Sequence, residues 1–549
     1  MSSISANSIH AKFASDEDYE PNNKNEKSSN SSQNTLNIQN VKLGTSKSSI
    51  ESLEHIPISI SSTHNGKYQD YQIPVSPTLS CTTVSSMIDE LRTESSFPDI
   101  IDSTHKLFDP NCDPENPIEV KFDEVLSARS IIQESIDKTP CKKSRLSSMC
   151  NMEIWFKKDY LQYTGSFKER GASHALLKLL ANREKHINSQ DIINPKYPID
   201  FEGVIAASAG NHALALAYHG QLNNIPVTVV MPKYAPIMKI NSCKQFNAQV
   251  IVRGNDLTES KQYAMYLAKI RNLVYINGYD HRDIIAGQGT TGIEICEQMG
   301  QFDAIIIPVG GGGLIAGVAV AIKQLRPNAM IIGAEAVRCP SFTNALKAGK
   351  PTHTPSYSSL ADGLAVPVVG VNAFETAKNI IDKVVTVNEE HIALAILRLL
   401  EMEKAVVEGA GACGFAAVLA NLVPELIGKR VVILLCGGNI DTSILGRCMD
   451  RGLAADGRLV RFKVTLLDRP GGIAQLTNYL FTVGVSLKDI FHERAWVKND
   501  IFSVDVKCVV ETKDWEHTFL LKDGLKQRYP NARFEDLEDK MMISRPSLH

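Results

Sequence analysis

Between Gly203 and Leu435 short apolar runs alternate with longer helical stretches, and that alternation restricts the chain more than any other feature. Gly203 to Ala207, Val227 to Met231, Ala248 to Arg253, Ala304 to Pro308, Met330 to Ala334 and Val431 to Leu435 read as strands. Asn211 to His219 and Leu314 to Leu325 read as apolar helices between them. Such alternation predicts an α/β fold with a parallel sheet, in which ligands bind at the carboxyl ends of the strands. Upstream, Val125, Ile131, Ile132 and Ile136 recur at helical spacing with Thr139-Pro140 as the expected stop, and Met152 to Lys158 reads as a strand.

The loops at those strand ends carry the chemistry. Thr164 to Ala172 reads Thr-Gly-Ser-Phe-Lys-Glu-Arg-Gly-Ala, and Lys168 opens a run, Ala172 to Leu180, that reads as helix. The partial positive charge of a helix N-terminus opposes an ammonium, so the amine deprotonates more easily and becomes a nucleophile toward an aldehyde. Alone, the same residues suit a solvated lysine in a turn. Ser208-Ala209-Gly210-Asn211-His212 joins a strand to a helix N-terminus, where N–H groups favour an anion such as a carboxylate; an ordinary capped helix start would use the same residue types. Gly310-Gly311-Gly312-Gly313 strips side chains from a strand–helix turn, so that successive N–H groups can surround a phosphate. It has neither the dinucleotide-binding glycine spacing nor a P-loop lysine. Cys436-Gly437-Gly438-Asn439 ends the most apolar strand, and its thiol is either a ligand contact or a small buried apolar group.

Composition excludes several other classes. With 43% hydrophobic and 22% charged residues the chain can build sizeable cores, while a net charge of -3 argues against a nucleic-acid binder. The eleven cysteines lack C-x-x-C spacing and fit reduced thiols in a cytoplasmic protein. No run is long and apolar enough for a membrane span or a signal core. Residues 1–117, rich in Ser, Asn and Thr, read as a disordered extension.

The ordered set T-G-S-F-K, S-A-G-N-H, G-G-G-G-L and C-G-G-N resembles the fold type II pyridoxal phosphate enzymes, and within them the threonine and serine dehydratases, with serine racemases as near relatives. The resemblance implies a tryptophan synthase β-like catalytic domain over residues 118–455, with two α/β subdomains, the smaller at about 192–279. It implies pyridoxal 5′-phosphate on Lys168, Phe167 against its ring, Asn211 at its phenolic oxygen, Gly310, Gly311, Gly312 and Gly313 around its phosphate, and Cys436 facing its nitrogen. A neutral thiol would leave that nitrogen largely unprotonated, which favours elimination. Ser208, Ala209, Gly210, Asn211 and His212 would hold the substrate, and Glu408 would lie near the ring nitrogen in a structural or a chemical role. The reaction implied is deamination of L-threonine to 2-oxobutanoate and of L-serine to pyruvate. Racemases of this family carry a serine where this chain has Ala209, which disfavours racemisation. Gly287 to Thr290, Gly-Gln-Gly-Thr, is dehydratase-like and disfavours β-replacement. A catalytically dead sensor is the remaining alternative, against which the intact Lys168 weighs.

The β-α-β-β-α-β order after Asp456, with Asp468-Arg469-Pro470-Gly471-Gly472 at its first turn, resembles a ferredoxin-like ACT domain over residues 456–545. Asp468, Arg469, Gly471 and Gly472 would then meet an amino-acid effector, with the following helix starting at Ile473. The family also suggests a homodimer or homotetramer, and a cation at Glu335 and Ser341, where a neutral hydroxyl suits potassium better than a divalent ion.

Overall fold

The computed structural model describes residue 107 and residues 109–189, 200–495 and 500–535. The expected disordered extension, the start of the small subdomain and the end of the last domain lie partly outside those residues. Within them, Asp109 to Pro117 corrects the boundary of the extension. This loop is held to the folded body through the Asn111 carbonyl, which accepts a hydrogen bond from Asn372 at 2.7 Å.

Helix α1 (Phe122–Ile132) opens with Glu124 accepting the Lys121 N–H at 3.1 Å. It stops at Ile132 and not at Thr139-Pro140, because Ser135 turns its N–H and hydroxyl onto the Ile132 carbonyl at 2.9 and 3.0 Å. Strands β1 (Cys141–Lys143) and β2 (Glu153–Lys157) lead to α2 (Lys168–Ser189). The smaller lobe follows as β3 (Gly203–Ala207), α3 (Asn211–Leu222), β4 (Val227–Met231), α4 (Ile237–Gln245), β5 (Gln249–Val252), α5 (Leu257–Ile270) and β6 (Leu273–Tyr275). The chain returns to the larger lobe with α6 (Arg282–Gln298), β7 (Ala304–Pro308), α7 (Gly313–Leu325), β8 (Met330–Ala336), α8 (Ser341–Ala348), α9 (Val371–Ala377), β9 (Lys383–Val387), α10 (Glu389–Glu403), α11 (Gly409–Leu419) and β10 (Arg430–Leu434). Helix α12 (Thr442–Ala455) leads into β11 (Leu459–Leu467), α13 (Gly472–Val483), β12 (Ser486–Glu493), β13 (Ser503–Glu511), α14 (Trp515–Arg528) and β14 (Arg533–Phe534).

The larger lobe holds a six-stranded sheet in the order β1-β2-β10-β7-β8-β9, parallel except for β1. The side chains of β10 explain why its sequence is apolar throughout. Val431 and Ile433 enter the core on one face, and Val432 and Leu434 enter the core on the other. The smaller lobe is a four-stranded parallel sheet in the order β5-β4-β3-β6. In the larger sheet the order reverses between β7 and β10, so the loops that follow β2, β10 and β7 all emerge at a topological switch point, where ligand crevices form. The last region is a four-stranded antiparallel sheet in the order β12-β13-β11-β14, a ferredoxin-like arrangement. Among the described residues no helix is long and apolar enough to cross a membrane.

Candidate active site

The lysine loop and the cysteine loop are stitched together by backbone. Ser166 bridges Gly437, Phe167 donates its N–H to the Cys436 carbonyl at 2.9 Å, and Gly438 donates to the Gly165 carbonyl at 2.9 Å. Lys168 is the first residue of α2, as its sequence position predicts. Its Nζ donates to the Gly278 carbonyl, at the junction where the small lobe returns to the large one, and lies 5.1 Å from the Phe167 ring centroid. Desolvation within the cleft lowers its pKa to about 8, against the smaller opposing effects of Cys436 and Glu408. The lysine is therefore activated chiefly by its surroundings, beyond the helix-terminus argument made from sequence.

Asn211 sits between two partners. Its Nδ2 donates to Glu408 Oε1 at 2.7 Å, and its Oδ1 accepts from Asn439 Nδ2 at 2.8 Å. Asn439 also donates to the Thr164 carbonyl at 2.7 Å, so one side chain joins the lysine loop to the substrate loop. A side chain at Gly437 would place a Cβ 2.1 Å from Glu408 Oε1, which restricts that position to glycine. With Oδ1 occupied, Asn211 offers its second N–H outward as a donor. Glu408 is buried, and that burial, with Asp362 adding to it, raises its pKa to about 7. Cys436 is buried and its thiol is pushed well up by desolvation, so it stays neutral.

The glycine run adopts the turn expected of it. Gly312 has φ 93°, a left-handed conformation natural to glycine, and α7 begins at Gly313, whose first turn has N–H groups without helical partners. A neighbour constrains the run as well: a Cβ at Gly311 would fall 2.4 Å from the Tyr279 ring, and one at Gly313 2.2 Å from the Tyr279 carbonyl. Packing against Tyr279 thus demands glycine here independently of any ligand.

The structure departs from the sequence expectations at His212 and at the start of α13, and it engages Glu335 in a helix cap. His212 does not turn its ring to the substrate loop. The ring is buried against Gly278, with Nε2 3.1 Å from the Ile276 carbonyl, and burial, then Lys168, lowers its pKa to about 3. Glu335 is engaged in capping: its carboxylate accepts the N–H groups of Phe342 and Thr343 at 2.7 and 2.9 Å and the Thr343 hydroxyl at 2.6 Å. Ser341 lies beside it, buried, with no hydrogen-bond partner for Oγ among the described residues. Those residues hold no group of three or more His, Cys, Asp and Glu side chains suited to a metal ion. The helix after the Asp468 turn starts at Gly472, one residue before the expected Ile473.

Sequence reasoning gave no role to Asn439 or to the buried cluster under the lysine loop. In that cluster Arg170 bonds Asp159 at 2.9 Å and Glu294 at 2.7 Å, while Lys157 bonds Glu294 at 2.6 Å, all four side chains excluded from solvent. Arg170 stands two residues after Lys168 and so fixes the first turn that presents it. The Glu-Arg-Gly sequence that follows Lys168 was the available signal.

A lysine with a lowered pKa at a switch point, beside an orienting amide and a glycine turn, is a site built for an aldehyde bearing a phosphate. Residues 132–437 match the family described as pyridoxal-phosphate dependent enzyme. The chain belongs to that family. It is 37% identical over 399 residues to an L-threonine ammonia-lyase of Thermotoga maritima, covering 72% of this chain and 95% of that protein. Among solved structures it is similar to the processed form of threonine deaminase isoform 2 from Solanum lycopersicum, with 31% identity, a TM-score of 0.54 and coverage of 61% of this chain and 95% of that one. It is also similar to a serine racemase from Dictyostelium discoideum, with 30% identity, a TM-score of 0.52 and coverage of 59% and 99%. The residues present fit the cofactor: besides the lysine and the glycine turn, Ser166 Oγ is buried with no hydrogen-bond partner among the described residues.

Proposed function

We propose that the chain is an ammonia-lyase that converts L-threonine to 2-oxobutanoate and ammonia, and L-serine to pyruvate and ammonia. The observation that carries this reading over racemisation is the methyl group of Ala209 in the loop from Ser208 to His212, in a chain whose Lys168 is activated. A methyl group cannot return a proton to the α carbon. Bound pyridoxal phosphate supplies a carbonyl for the substrate amine and a ring that withdraws electrons from the α carbon. Lys168, neutral above about pH 8, takes the α proton as general base. The backbone of Ser208 to Gly210 and the first turn of α3 hold the substrate carboxylate. Asn211, fixed by Glu408 and Asn439, would offer its remaining N–H to the cofactor's phenolic oxygen, and the neutral Cys436 thiol would set no negative charge beside the ring nitrogen. Steady-state formation of 2-oxo acids from the two substrates tests the assignment. Conversion of L-serine to D-serine at a rate comparable with pyruvate formation would overturn it.

The last domain is read as an ACT-like sensor of an amino acid. The 399-residue similarity to the Thermotoga maritima lyase is longer than the family segment and takes in sequence outside it. A cavity of about 390 Å³ lies at the Asp468 turn, lined among others by Arg469, Gly471, Ile473, His492 and Arg494. Gly471 has φ 91° with open space around it, and Asp468 is paired with Arg494 at the cavity wall. Those two charges, with the N-terminus of α13, suit the amine and carboxylate of a free amino acid. The edge strand β12 exposes Leu487, Ile490 and Phe491, which supports assembly with a second copy into a homo-oligomer. We read the protein as cytoplasmic on its cysteine pattern.

A further inference from the structure

The loop upstream of the family segment joins both lobes next to the glycine turn. Leu107 donates its N–H to Gln262 on α5 in the smaller lobe at 3.3 Å, and Val120 donates to Thr376 on α9 in the larger lobe at 3.0 Å. Between these ends the fully buried Asn372, second residue of α9, is the anchor. Its Oδ1 accepts the Ile118 N–H at 2.7 Å, and its Nδ2 donates to the Asn111 carbonyl at 2.7 Å and to the Asp280 carbonyl at 2.8 Å. The Asp280 carboxylate in turn accepts the N–H groups of Val371, Asn372 and Ala373 at 2.9, 2.8 and 3.0 Å. Two short routes then lead from Asn372 to the glycine turn. Gly370, which caps α9, donates its N–H to the Gly311 carbonyl at 3.0 Å. Tyr279, the neighbour of Asp280, packs its ring over Gly311 and its carbonyl over Gly313.

We propose that residues 109–120 are a strap that positions the glycine turn through Asn372, so that affinity for the cofactor phosphate depends on a segment lying before the family's own sequence. A run of glycines is the least ordered backbone a chain can offer, and an anion site made from it binds well only when other contacts have already fixed it. The strap supplies that order from outside the cofactor site. Asn372 acts here as a positioning residue, since it reaches the turn through its neighbours Gly370 and Asp280.

The inference rests on the pyridoxal phosphate site and not on the choice of substrate. A protein that bound cofactor as expected but formed no 2-oxobutanoate would therefore sink the substrate reading alone. The experiment is a titration of the full-length apoprotein with pyridoxal phosphate, followed by ring absorbance, alongside Asn372→Ala and Ile118→Pro. The second variant deletes a single N–H without introducing charge. Loss of one hydrogen bond of ordinary worth should raise the Kd for pyridoxal phosphate about tenfold in Ile118→Pro, and further in Asn372→Ala. Pyridoxal, which lacks the phosphate, should bind the full-length protein and both variants alike. Deleting residues 1–106 should leave both constants unchanged. Should Asn372→Ala fail to fold, Ile118→Pro decides; should both fail, deletion of residues 1–118 replaces them with the same two ligands. A Kd for pyridoxal phosphate unchanged within about twofold, or equal weakening of both ligands, overturns the strap.

Discussion

Strands β4 and β7 are buried at every position, whereas β11 alternates between buried and accessible residues along its length. Helices cover both faces of the two parallel sheets, while the last sheet packs one face on α13 and α14 and leaves β12 exposed at seven of its eight positions. Charge follows the same division. The larger lobe encloses Lys157, Asp159, Arg170 and Glu294 completely, and the antiparallel sheet has pairs near the surface, such as Lys507 with Glu493 at 2.9 Å. A dry interior shifts pKa values and fixes geometry, which suits chemistry. A half-solvated sheet with a free edge suits exchangeable partners, whether a free amino acid or another subunit.

The largest effect should come from the centre of the dry region. Replacing Lys168 with Ala removes both the attachment point and the base, and should lower turnover about a thousandfold or more, together with loss of the cofactor's lysine-linked absorbance band. Residual activity above about a tenth of wild type would refute the assignment. The next test sets the two regions against each other. Arg170→Met takes the paired cation from the buried Asp159 and leaves Glu294 with Lys157 alone, and should cost about 3–5 kcal/mol of stability, whereas Lys507→Met, at a surface pair, should cost about 1 kcal/mol or less. Equal thermal shifts would erase the contrast between the sheets.

A third test separates the regions altogether. Ion pairs tie them: Arg398 on α10 pairs with Asp456, Arg458 bonds Glu401 on the same helix at 2.6 Å, and Lys488 on β12 bonds Asp450 on α12 at 2.7 Å. Deleting residues after Asp456 should leave a working lyase whose rate no longer responds to isoleucine or valine, since an effector acts only through differential affinity for two states of the whole. A full-length enzyme that responds to no proteinogenic amino acid, in rate or in thermal midpoint, would reduce the last domain to an assembly module.

The same contrast explains what the sequence made legible. The strands at Gly203, Val227 and Ala304 were readable to the residue because burial on both faces demands an unbroken apolar run. Strand β11, from Leu459, was readable for the opposite reason, through period-two alternation bounded by turns. Strand β1, Cys-Lys-Lys at the antiparallel edge, carries neither signal and was missed. The buried ion cluster was invisible because its members, such as Lys157 and Glu294, lie 137 residues apart and their pairing depends on tertiary packing alone. His212 misled for a local reason: it belongs to a motif of loop residues, yet it falls in the first turn of α3, which points its ring back to Gly278. The turns at Ser208 to Gly210 and Gly310 to Gly312 were legible as strand-to-helix junctions because such a junction depends on glycine placement, which sequence displays.

The smallest expected effect also compares the regions, through two carboxylates shifted in opposite directions. Asp468, on the surface, is held below the usual range by its hydrogen bond to Arg494. Glu408, in the dry site, is raised to about 7 by burial and then by Asp362, while its hydrogen bond from Asn211 opposes the rise. Below pH 7 Glu408 is mostly protonated and accepts the Asn211 N–H weakly; above it the carboxylate accepts strongly and holds the amide in place. Activity should therefore rise through a limb near pH 7, separate from the one near pH 8 set by Lys168. Glu408→Gln keeps the shape and an accepting oxygen but cannot ionise. It should lose the lower limb and retain the upper, with the rate at pH 8 reduced only about threefold, the value of a charge-assisted bond over a neutral one. If the variant keeps both limbs, the titrating group near 7 is another residue and Glu408 serves packing alone.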